Sequence, residues 1–356
     1  MNEVMNIEIQ PTTQSRLPEV DFDNLRFGHV FSDHMLVADY ADGEWKSCKI
    51  VPFAPLTFSP AMSTLHYAQS IFEGLKAYKN EQGEILVFRP YDNYKRMLRS
   101  AERMCMPPIP EEIFMDGLRE LLKLDKDWIP QREGYSLYIR PFMFATDEFI
   151  GVRPSNTYKF IIFTCPVSKY YSEPVKVKIE THYTRAVAGG TGYAKAAGNY
   201  AASLYPARLA QQAGYHQLIW TDGRTHEYIE EAGTMNIMFR KGNRIITAPL
   251  SDSILAGITR DSVLTLAREW GYEVEERPVP VKEIVGYLEE GSLDAAFGVG
   301  TAATIAHIVT IGYEGKDYQL PPIEGRVFAN RVLQTLDDIK YGRIEDTHGW
   351  IWKPEA

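Results

Sequence analysis

Apolar residues in the first half of the chain recur with the periods of strands and of one amphipathic helix. Three apolar runs, at 85–88, 136–144 and 158–163, predict β-strands. Between the first two runs the spacing becomes helical, with Asp92 as the expected N-cap and the prolines within 106–108 ending the helix. The expected apolar face of this helix consists of Tyr94, Met97, Leu98, Ala101 and Cys105. The alternation of helix and strand predicts an α/β or α+β first domain.

The second half of the chain begins a new sheet. Residues 175–180 alternate strictly between apolar and polar, which predicts a strand, and residues 234–240 and 244–248 predict a hairpin around a short loop. An amphipathic helix is predicted from about Thr259 to a stop at Gly271. Its expected inward face consists of Val263, Leu264, Leu266, Ala267 and Trp270.

Two domains are expected, because 356 residues exceed the size at which a single core usually stops growing. The segment between the two patterned halves contains two prolines and has no periodicity, which is typical of a linker. We therefore predict a small α/β domain at 1–166, an interdomain linker at 167–174 and a larger domain at 175–356. Residues 1–25 are polar and are expected to form a loosely ordered arm of the first domain.

Composition narrows the class of protein. Lys and Arg total 38 against 47 for Asp and Glu, a net charge of -9, which disfavours binding to nucleic acid. The three cysteines are far apart and form neither a disulfide framework nor a Cys-x-x-Cys metal pair. The polar start does not resemble a signal peptide, and no apolar run approaches the roughly 18 residues of a membrane helix. These features predict a cytoplasmic enzyme without a membrane or nucleic-acid partner.

Lys195 stands alone among small residues, in the segment Gly189-Gly190-Thr191-Gly192-Tyr193-Ala194-Lys195-Ala196-Ala197-Gly198. Small neighbours allow a planar ligand to approach the amine, as Schiff-base chemistry requires. The alternative is a flexible surface loop whose lysine is only solvated.

Glu230 and Glu231 come directly before a turn and an apolar strand. A carboxylate at the end of a strand, facing a heteroaromatic nitrogen, would keep that nitrogen protonated and make the ring an electron sink. The alternative, for at least one of the pair, is a solvated loop end.

Two turns could bind an anion through backbone amides. Residues 255–261 place Gly257 at the start of the predicted helix, and residues 298–304 form a second turn of small residues. Each turn is weak evidence alone, because Gly and Thr are common in helix caps, and an arginine would have to contribute to phosphate binding. Dinucleotide, P-loop, zinc-protease and serine-hydrolase motifs are absent from the sequence. The lysine, the glutamate and the two turns together indicate a pyridoxal 5′-phosphate site without a metal.

A series of longer segments then identifies a family. They are Phe72-Glu73-Gly74-Leu75-Lys76-Ala77-Tyr78, Phe88-Arg89-Pro90, Arg96-Met97-Leu98-Arg99-Ser100, Tyr138-Ile139-Arg140-Pro141, Gly198-Asn199-Tyr200 and Glu231-Ala232-Gly233-Thr234-Met235-Asn236. In residues, order and spacing, from about 25 to 345, they resemble the branched-chain amino-acid aminotransferases, in the longer, eukaryotic-like branch. The resemblance implies a two-domain fold type IV enzyme, with a small N-terminal α/β domain and a larger C-terminal pseudo-barrel that binds the cofactor.

The resemblance also implies roles at the reacting end of the cofactor. Lys195 matches the lysine that binds the cofactor covalently and later moves the proton between the substrate Cα and the cofactor C4′. Tyr200 matches the tyrosine that forms a hydrogen bond with the phenolic oxygen of the cofactor. Glu231, and not Glu230, matches the carboxylate on the pyridine nitrogen.

The implied phosphate anchors are Arg96, Ile258, Thr259 and Thr301. Arg96 lies off the apolar stripe of its predicted helix, as a cation that faces a ligand should. The alternative is a solvated basic helix face shared with Arg99 and Arg103.

Implied substrate contacts come from this chain and from a neighbouring subunit, so a homodimer with a shared active site is expected. Those within the chain are Phe72, Tyr138, Arg140, Tyr170, Thr234 and Ala302. Those reaching across are Tyr67, Ile150 and Val152. Aromatic and aliphatic walls suit the side chains of Leu, Ile and Val, and Arg140 is expected to let the same pocket accept 2-oxoglutarate.

The implied reaction is reversible transfer of the amino group from L-leucine, L-isoleucine or L-valine to 2-oxoglutarate, with ping-pong kinetics. One alternative is another enzyme on the same fold, a D-amino-acid aminotransferase or an aminodeoxychorismate lyase, and Tyr138, Arg140 and Thr234 argue against it. The other alternative is a non-catalytic protein that binds branched-chain ligands, but such a protein would not need Lys195. Some animal members carry a Cys-x-x-Cys redox pair where this chain has Ala303 and Ala306. No thiol regulation is therefore expected at that place.

Overall fold

The computed structural model describes residues 6–168 and 174–355, and the chain divides into two compact units. The first unit takes Met1–Tyr170, Ala194–Gly198 and Asp338–Ala356, and the second takes Tyr171–Tyr193 and Asn199–Asp337. The boundaries expected from the sequence stay predictions, and most of the expected linker lies outside the described residues. Across the part of the chain that is described, no helix is long and apolar enough to span a bilayer.

The first unit is built on a nine-stranded, mainly antiparallel sheet in its described residues. Its strands are β1 (Glu8–Ile9), β2 (His34–Ala41), β3 (Glu44–Pro52), β4 (Ser70–Phe72), β5 (Leu75–Lys79), β6 (Ile85–Phe88), β7 (Ser136–Ala145), β8 (Tyr158–Val167) and β19 (Ile351–Trp352). The order is β1-β3-β2-β8-β7-β5-β6-β19, with β4 paired to β7. β6, β7 and β8 confirm the three predicted strands. The sequence of β7 is an almost continuous apolar run because the residues on both faces of this strand are mostly buried.

Helices of the first unit pack on this sheet. They are α1 (Ser63–Tyr67), α2 (Pro90–Arg103) and α3 (Gly117–Leu124), with a π-helical segment at Glu112–Asp116 and short 3₁₀ turns at Leu17–Glu19, Phe22–Asn24 and Lys126–Trp128. The described part of the polar arm is held in place: the N–H of Thr12 donates to His34 Nε2, and the hydroxyl of Ser15 donates to Asp33.

The predicted start of α2 is wrong. Arg89 has a left-handed backbone with φ 51°, and Pro90 takes the first helical position. Asp92 lies inside the first turn and accepts a hydrogen bond from Arg89 Nε at 2.6 Å. Cys105 is exposed and follows the end of the helix with φ 53°, so it does not belong to the buried face.

The second unit is built on a ten-stranded sheet in its described residues. Its strands are β9 (Val175–Ile179), β10 (Gln217–Thr221), β11 (Tyr228–Ala232), β12 (Met235–Lys241), β13 (Arg244–Thr247), β14 (Glu273–Glu276), β15 (Val279–Pro280), β16 (Ala295–Gly300), β17 (Thr304–Tyr313) and β18 (Lys316–Gln319). The order β12-β16-β17-β9-β10-β11 returns to β12 through the pairing of β11 with β12, so these strands close into a barrel. The expected pseudo-barrel is confirmed.

Helices α5 (Leu204–Gln212), α6 (Ile258–Glu269) and α7 (Val281–Glu289) belong to the second unit, with a 3₁₀ turn at Ile323–Gly325. In α4 (Ala197–Ala201) and α8 (Val327–Lys340) the chain passes from one unit to the other. The predicted hairpin is confirmed by β12 and β13, and α6 confirms the predicted helix, with Val263, Leu264, Leu266 and Ala267 buried.

Candidate active site

Lys195 is held by the backbone of the first unit. The N–H of Phe72 donates to the carbonyl of Lys195 at 3.0 Å, and Ile71 pairs with Ala196 as an isolated antiparallel bridge. The N–H of Lys195 donates to Ser100 Oγ at 2.9 Å. The ammonium lies 5.0 Å from the centroid of the Phe72 ring. The alternative of a flexible loop with a merely solvated lysine is therefore wrong.

Arg96 is buried on α2 and forms a bidentate ion pair with Glu73. Nε donates to Oε1 and Nη2 donates to Oε2, each at 2.7 Å. Arg96 is 4% exposed and Glu73 is 0% exposed, so the alternative of a solvated basic helix face is wrong for Arg96. Burial by itself would raise the pKa of Glu73, but the charge and hydrogen bonds of Arg96, with the charge of Lys195, lower that pKa overall.

Arg140 lies between two aromatic residues of the predicted substrate pocket. Its guanidinium carbon is 4.6 Å from the centroid of the Phe72 ring and 5.3 Å from that of Tyr138. Nη2 donates to Tyr138 Oη at 2.9 Å, whereas Nε is buried without a hydrogen-bond partner among the described residues. The structure thus brings Phe72, Tyr138, Arg140 and Lys195 together in one unit.

Phe27 is a residue of this cluster that the sequence did not reveal. Its ring packs edge-on against Tyr138, with the centroids 5.1 Å apart. A single aromatic residue after a polar arm carries no periodic signal. Asn93 and Ser100 were missed as well, although they stand three residues before and four residues after Arg96, a spacing that indicates one buried polar stripe on α2.

Glu231 lies on β11 of the second unit and is 3% exposed. Its Oε1 accepts hydrogen bonds from the N–H of Leu255 at 2.9 Å and from Asn236 Nδ2 at 3.2 Å, and its Oε2 lies 3.0 Å from Arg185 Nε. Two donors and a neighbouring cation favour the ionised carboxylate. Arg185 was not predicted, since nothing in its local sequence distinguishes it.

Glu230 differs from its neighbour. Its Oε1 accepts a hydrogen bond from Ser253 Oγ, and its Oε2 is buried without a partner among the described residues. Burial raises the pKa of Glu230, the charge of Glu231 adds to that rise, and the Ser253 hydrogen bond and the charge of Arg185 oppose it. Both carboxylates belong to strand β11, so the expectation of a solvated loop end is wrong for each of them.

The two predicted anion-binding turns lie in the second unit. Ile258 and Thr259 open α6, and its N-cap position is Gly257, which has no side chain with which to cap the helix. A Cβ at Gly257 would lie 2.0 Å from Asn236 Oδ1, so a side chain at this position would have to displace the Asn236 amide. Thr301 and Ala302 form the turn between β16 and β17.

The remaining predicted residues lie on several elements of the two units, and one of them is not described. Tyr200 lies in α4 and is half-buried, and Thr234 is exposed between β11 and β12. Tyr67, Ile150 and Val152 are exposed in the first unit, by 39%, 61% and 89%. Tyr170 lies outside the described residues. No group of three or more potential metal ligands occurs in the described part of the chain.

Comparisons with known proteins place this chain in a family. Residues 70–311 match the profile of amino-transferase class IV. Branched-chain-amino-acid aminotransferase 2 of Bacillus subtilis (strain 168) is 44% identical over 348 residues, covering 97% of this chain and 96% of that protein. A branched-chain aminotransferase from the thermophilic archaeon Thermoproteus uzoniensis, solved with norvaline, has a TM-score of 0.74 at 27% identity and covers 90% of this chain and 99% of its own.

A further solved structure resembles this chain and has a pyridoxyl compound bound. It is a branched-chain amino acid aminotransferase from T.th. complexed with N-(5′-phosphopyridoxyl)-L-glutamate, with a TM-score of 0.71 at 25% identity, covering 89% of this chain and 98% of its own. The family match spans more than half of the chain, and the B. subtilis relative matches nearly all of it. The chain belongs to the class IV aminotransferases.

Proposed function

We propose that the chain is a branched-chain amino-acid transaminase, which transfers the amino group of L-leucine, L-isoleucine or L-valine reversibly to 2-oxoglutarate with pyridoxal 5′-phosphate as cofactor. Its family and its 44% identity to the B. subtilis relative support this function. The structural observation that supports this function most strongly is that Lys195 and Arg140 both lie against the ring of Phe72. The Lys195 ammonium is 5.0 Å and the Arg140 guanidinium carbon is 4.6 Å from the ring centroid. A reactive amine and a cation suited to a carboxylate are thus held side by side.

The residues present fit pyridoxal phosphate. The buried carboxylate of Glu231, with a cation and two donors around it, is suited to hold a proton on a pyridine nitrogen. Helix α6 starts after Gly257, and the backbone amides at the start of a helix suit a phosphate group. The buried Arg96 would add charge-assisted hydrogen bonds.

Pyridoxal phosphate, when bound, supplies an aldehyde that accepts the amino group and a ring that stabilises the electron pair left on the substrate Cα. The Lys195 amine would remove the proton from the substrate Cα and deliver it to the C4′ atom of the cofactor, which is general acid–base catalysis. Glu231 holds the proton on the ring nitrogen, and Tyr200 donates a hydrogen bond to the phenolic oxygen. The groups proposed to bind the phosphate are Arg96, Ile258, Thr259 and Thr301.

The substrate is proposed to bind against the aromatic cluster. The rings of Phe72 and Tyr138 give a branched aliphatic side chain an apolar wall. Arg140 is fixed by its bond to Tyr138 Oη, and its buried Nε lacks a partner among the described residues, so it can receive the side-chain carboxylate of 2-oxoglutarate or glutamate. Tyr170, Thr234 and Ala302 complete the proposed pocket of this chain.

We also propose a homodimer in which each site is shared. Tyr67, Ile150 and Val152 are apolar or amphipathic residues that stand exposed on the first unit, as residues that reach into a partner's pocket would in a separate chain. Molecular mass in solution, measured by light scattering, tests this point. Val152→Asp should lower the dimer fraction and the affinity for leucine together.

The decisive experiment measures glutamate formed from 2-oxoglutarate with L-leucine, L-isoleucine, L-valine, L-phenylalanine or D-leucine. We expect the three branched L-amino acids to be the best donors and D-leucine to be inactive. Lys195→Ala should reduce turnover by more than about a thousandfold, because it removes the acid–base group. Lys316→Ala, which alters a lysine whose side chain is 61% exposed, is the matched control and should retain activity.

Two further readouts define the outcome. Borohydride treatment with pyridoxal 5′-phosphate should leave the phosphopyridoxyl mass on the Lys195 peptide. Arg140→Met should raise KM for 2-oxoglutarate more than KM for leucine. Absence of transfer from all three branched amino acids, or full activity of Lys195→Ala, would overturn the proposal. Efficient use of D-leucine would instead favour a D-amino-acid aminotransferase.

A further inference from the structure

Glu73 is a fully buried carboxylate to which the proposed reaction gives no role. Besides the two bonds from Arg96, its Oε2 accepts hydrogen bonds from Asn93 Nδ2 at 2.8 Å and from the N–H of Gly74 at 3.3 Å. A charge taken out of water is costly unless it is paired and hydrogen-bonded. Glu73 is 0% exposed and accepts several hydrogen bonds, so we expect its carboxylate to hold the side chains that donate to it in a defined geometry.

We propose that Glu73 is a positioning residue, which holds the guanidinium of Arg96 in the orientation that binds the phosphate group of pyridoxal 5′-phosphate. This inference rests on the proposed function, in which Arg96 is a phosphate anchor.

The geometry of the pair fixes an orientation as well as a distance. Two parallel hydrogen bonds of 2.7 Å, from Nε and Nη2 to the two carboxylate oxygens, define the plane of the guanidinium. A single bond would leave the guanidinium able to rotate about it. Arginine is suited to phosphate because its donors form a planar fork, and this fork is useful only when its plane is set before the anion arrives.

Glu73 is itself immobilised by two elements. Its own N–H donates to the carbonyl of Pro141 on β7 at 2.7 Å, which fixes the backbone in the turn between β4 and β5. Asn93, on the same face of α2 as Arg96, fixes the carboxylate at 2.8 Å. The helix that carries Arg96 and the sheet that carries Glu73 are thereby locked together, within the first unit, at the place where Ser100 also holds Lys195.

A counter-charge role and a positioning role predict opposite effects. If Glu73 only neutralised Arg96, removal of its charge would leave a buried cation that binds an anion more strongly. If Glu73 orients Arg96, removal of its charge or a change of its reach loosens the fork and weakens phosphate binding. The sign of the change therefore distinguishes the two roles.

The test compares the dissociation constants of pyridoxal phosphate and of pyridoxal for the full chain stripped of cofactor. The ratio of the two constants reports the contribution of the phosphate group. Glu73→Gln keeps the size and removes the charge, and Glu73→Asp keeps the charge and shortens the reach. Both variants should bind pyridoxal as the parent does and lose about tenfold or more in the affinity for pyridoxal phosphate, the size expected for a charged hydrogen bond.

Matched controls isolate the pair. Glu102→Gln removes an exposed carboxylate from the same helix and should leave the ratio unchanged. Added to Arg96→Met, Glu73→Gln should change the ratio no further, because it acts through Arg96. If the Glu73 variants do not fold, Asn93→Ala withdraws one bond to Oε2 while both charges remain, and a smaller loss of the same sign is expected.

The outcomes separate this inference from the proposed function. An unchanged or increased phosphate preference in Glu73→Gln, or an unchanged one in Asn93→Ala, would overturn the positioning role. If Arg96→Met lowers the ratio and the Glu73 variants do not, only this inference fails. If Arg96→Met leaves the ratio unchanged, Arg96 is not a phosphate anchor and that part of the proposed function fails.

Discussion

Gly74 lies so close to Tyr138 that a side chain at position 74 would displace the tyrosine. A Cβ there would lie 2.1 Å from Tyr138 Oη and 2.9 Å from Cζ. The same Oη accepts the hydrogen bond from Arg140 Nη2 at 2.9 Å. The glycine therefore sets the position of a hydroxyl that holds the cation of the proposed substrate pocket.

Gly74→Ala should impair the reaction while the protein still folds. The added methyl group displaces the Tyr138 ring, which breaks its bond to Arg140, and kcat/KM for 2-oxoglutarate should fall about 10-fold to 100-fold. Overpacking should cost about 1–3 kcal/mol of unfolding free energy. Steady-state kinetics and urea denaturation measure the two effects.

Gly286→Ala is the control for that variant, because nothing lies within 4 Å of a Cβ at this position in α7. It should leave the kinetics unchanged and raise stability by about 0.5–1 kcal/mol, since alanine is the better helix former. Unaltered kinetics in Gly74→Ala would contradict the role given to Gly74.

Arg185→Met should destabilise the second unit. The side chains of Arg185 and Glu231 are 10% and 4% exposed, so the substitution leaves a buried carboxylate without its cation. Removal of one partner of a buried pair costs about 3–5 kcal/mol, and the two remaining donors to Glu231 place the expected loss near the lower value. Arg208→Met, at an exposed arginine of α5, should change the unfolding free energy by less than about 0.5 kcal/mol. Equal stability of the two variants in urea would argue against a buried Arg185–Glu231 pair.

One thiol should react in the native protein. Cys105 is exposed, whereas burial raises the pKa of Cys48 to about 12 and that of Cys165 to about 11, which keeps both as unreactive thiols. Titration with dithionitrobenzoate should count one thiol before denaturation and three after it. Cys105→Ser should abolish the native reaction. Reaction of more than one thiol before denaturation would contradict the burial of Cys48 and Cys165.

His307 on β17 should make stability depend on pH. Burial, with a smaller contribution from the charge of Arg326, lowers the pKa of His307 from 6.5 to about 4. Between these values the unfolded chain binds a proton that the folded chain does not, so the stability contributed above pH 6.5 is lost as the pH falls towards about 4.

His307→Gln removes that titration. Urea denaturation of the parent and the variant at several pH values from about 7.5 to 3.5 measures the difference in their unfolding free energies. The parent's stability relative to the variant should decline through the window and level off below about pH 4. A difference that is constant with pH would refute this titration.

Strands and the barrel hairpin could be predicted because their signals are local. Each of the strands β6, β7 and β8 is one largely apolar run, and only a short loop separates β12 from β13. The end of α2 was misjudged by the same reasoning: the helical period was continued to Cys105, although the helix ends at Arg103. Its start was assigned to Asp92, where Pro90 at the first helical position was the better signal.

The candidate site was only partly accessible to sequence reasoning. Lys195 and Glu231 stand out because their residue types are unusual for their immediate surroundings. Glu73 was noted only as part of a family motif, without a role, and Arg185 was not predicted. Each of them acts through a side chain on another element, which the local sequence does not reveal. Arg96 was expected to face a ligand, but its burial against Glu73 was not predicted, since a charged residue off the apolar stripe of a helix is usually solvated.

By itself the sequence determined the family, the mixed α/β fold and the residues with the reactive functional groups, because spacing and residue type encode these properties along the chain. Only the tertiary structure decided what holds those groups. The bond between Lys195 and Ser100 spans 95 positions, and the pair of Arg96 and Glu73 spans 23. No local pattern specifies such contacts, since they arise only when distant segments pack together and buried charges must find partners.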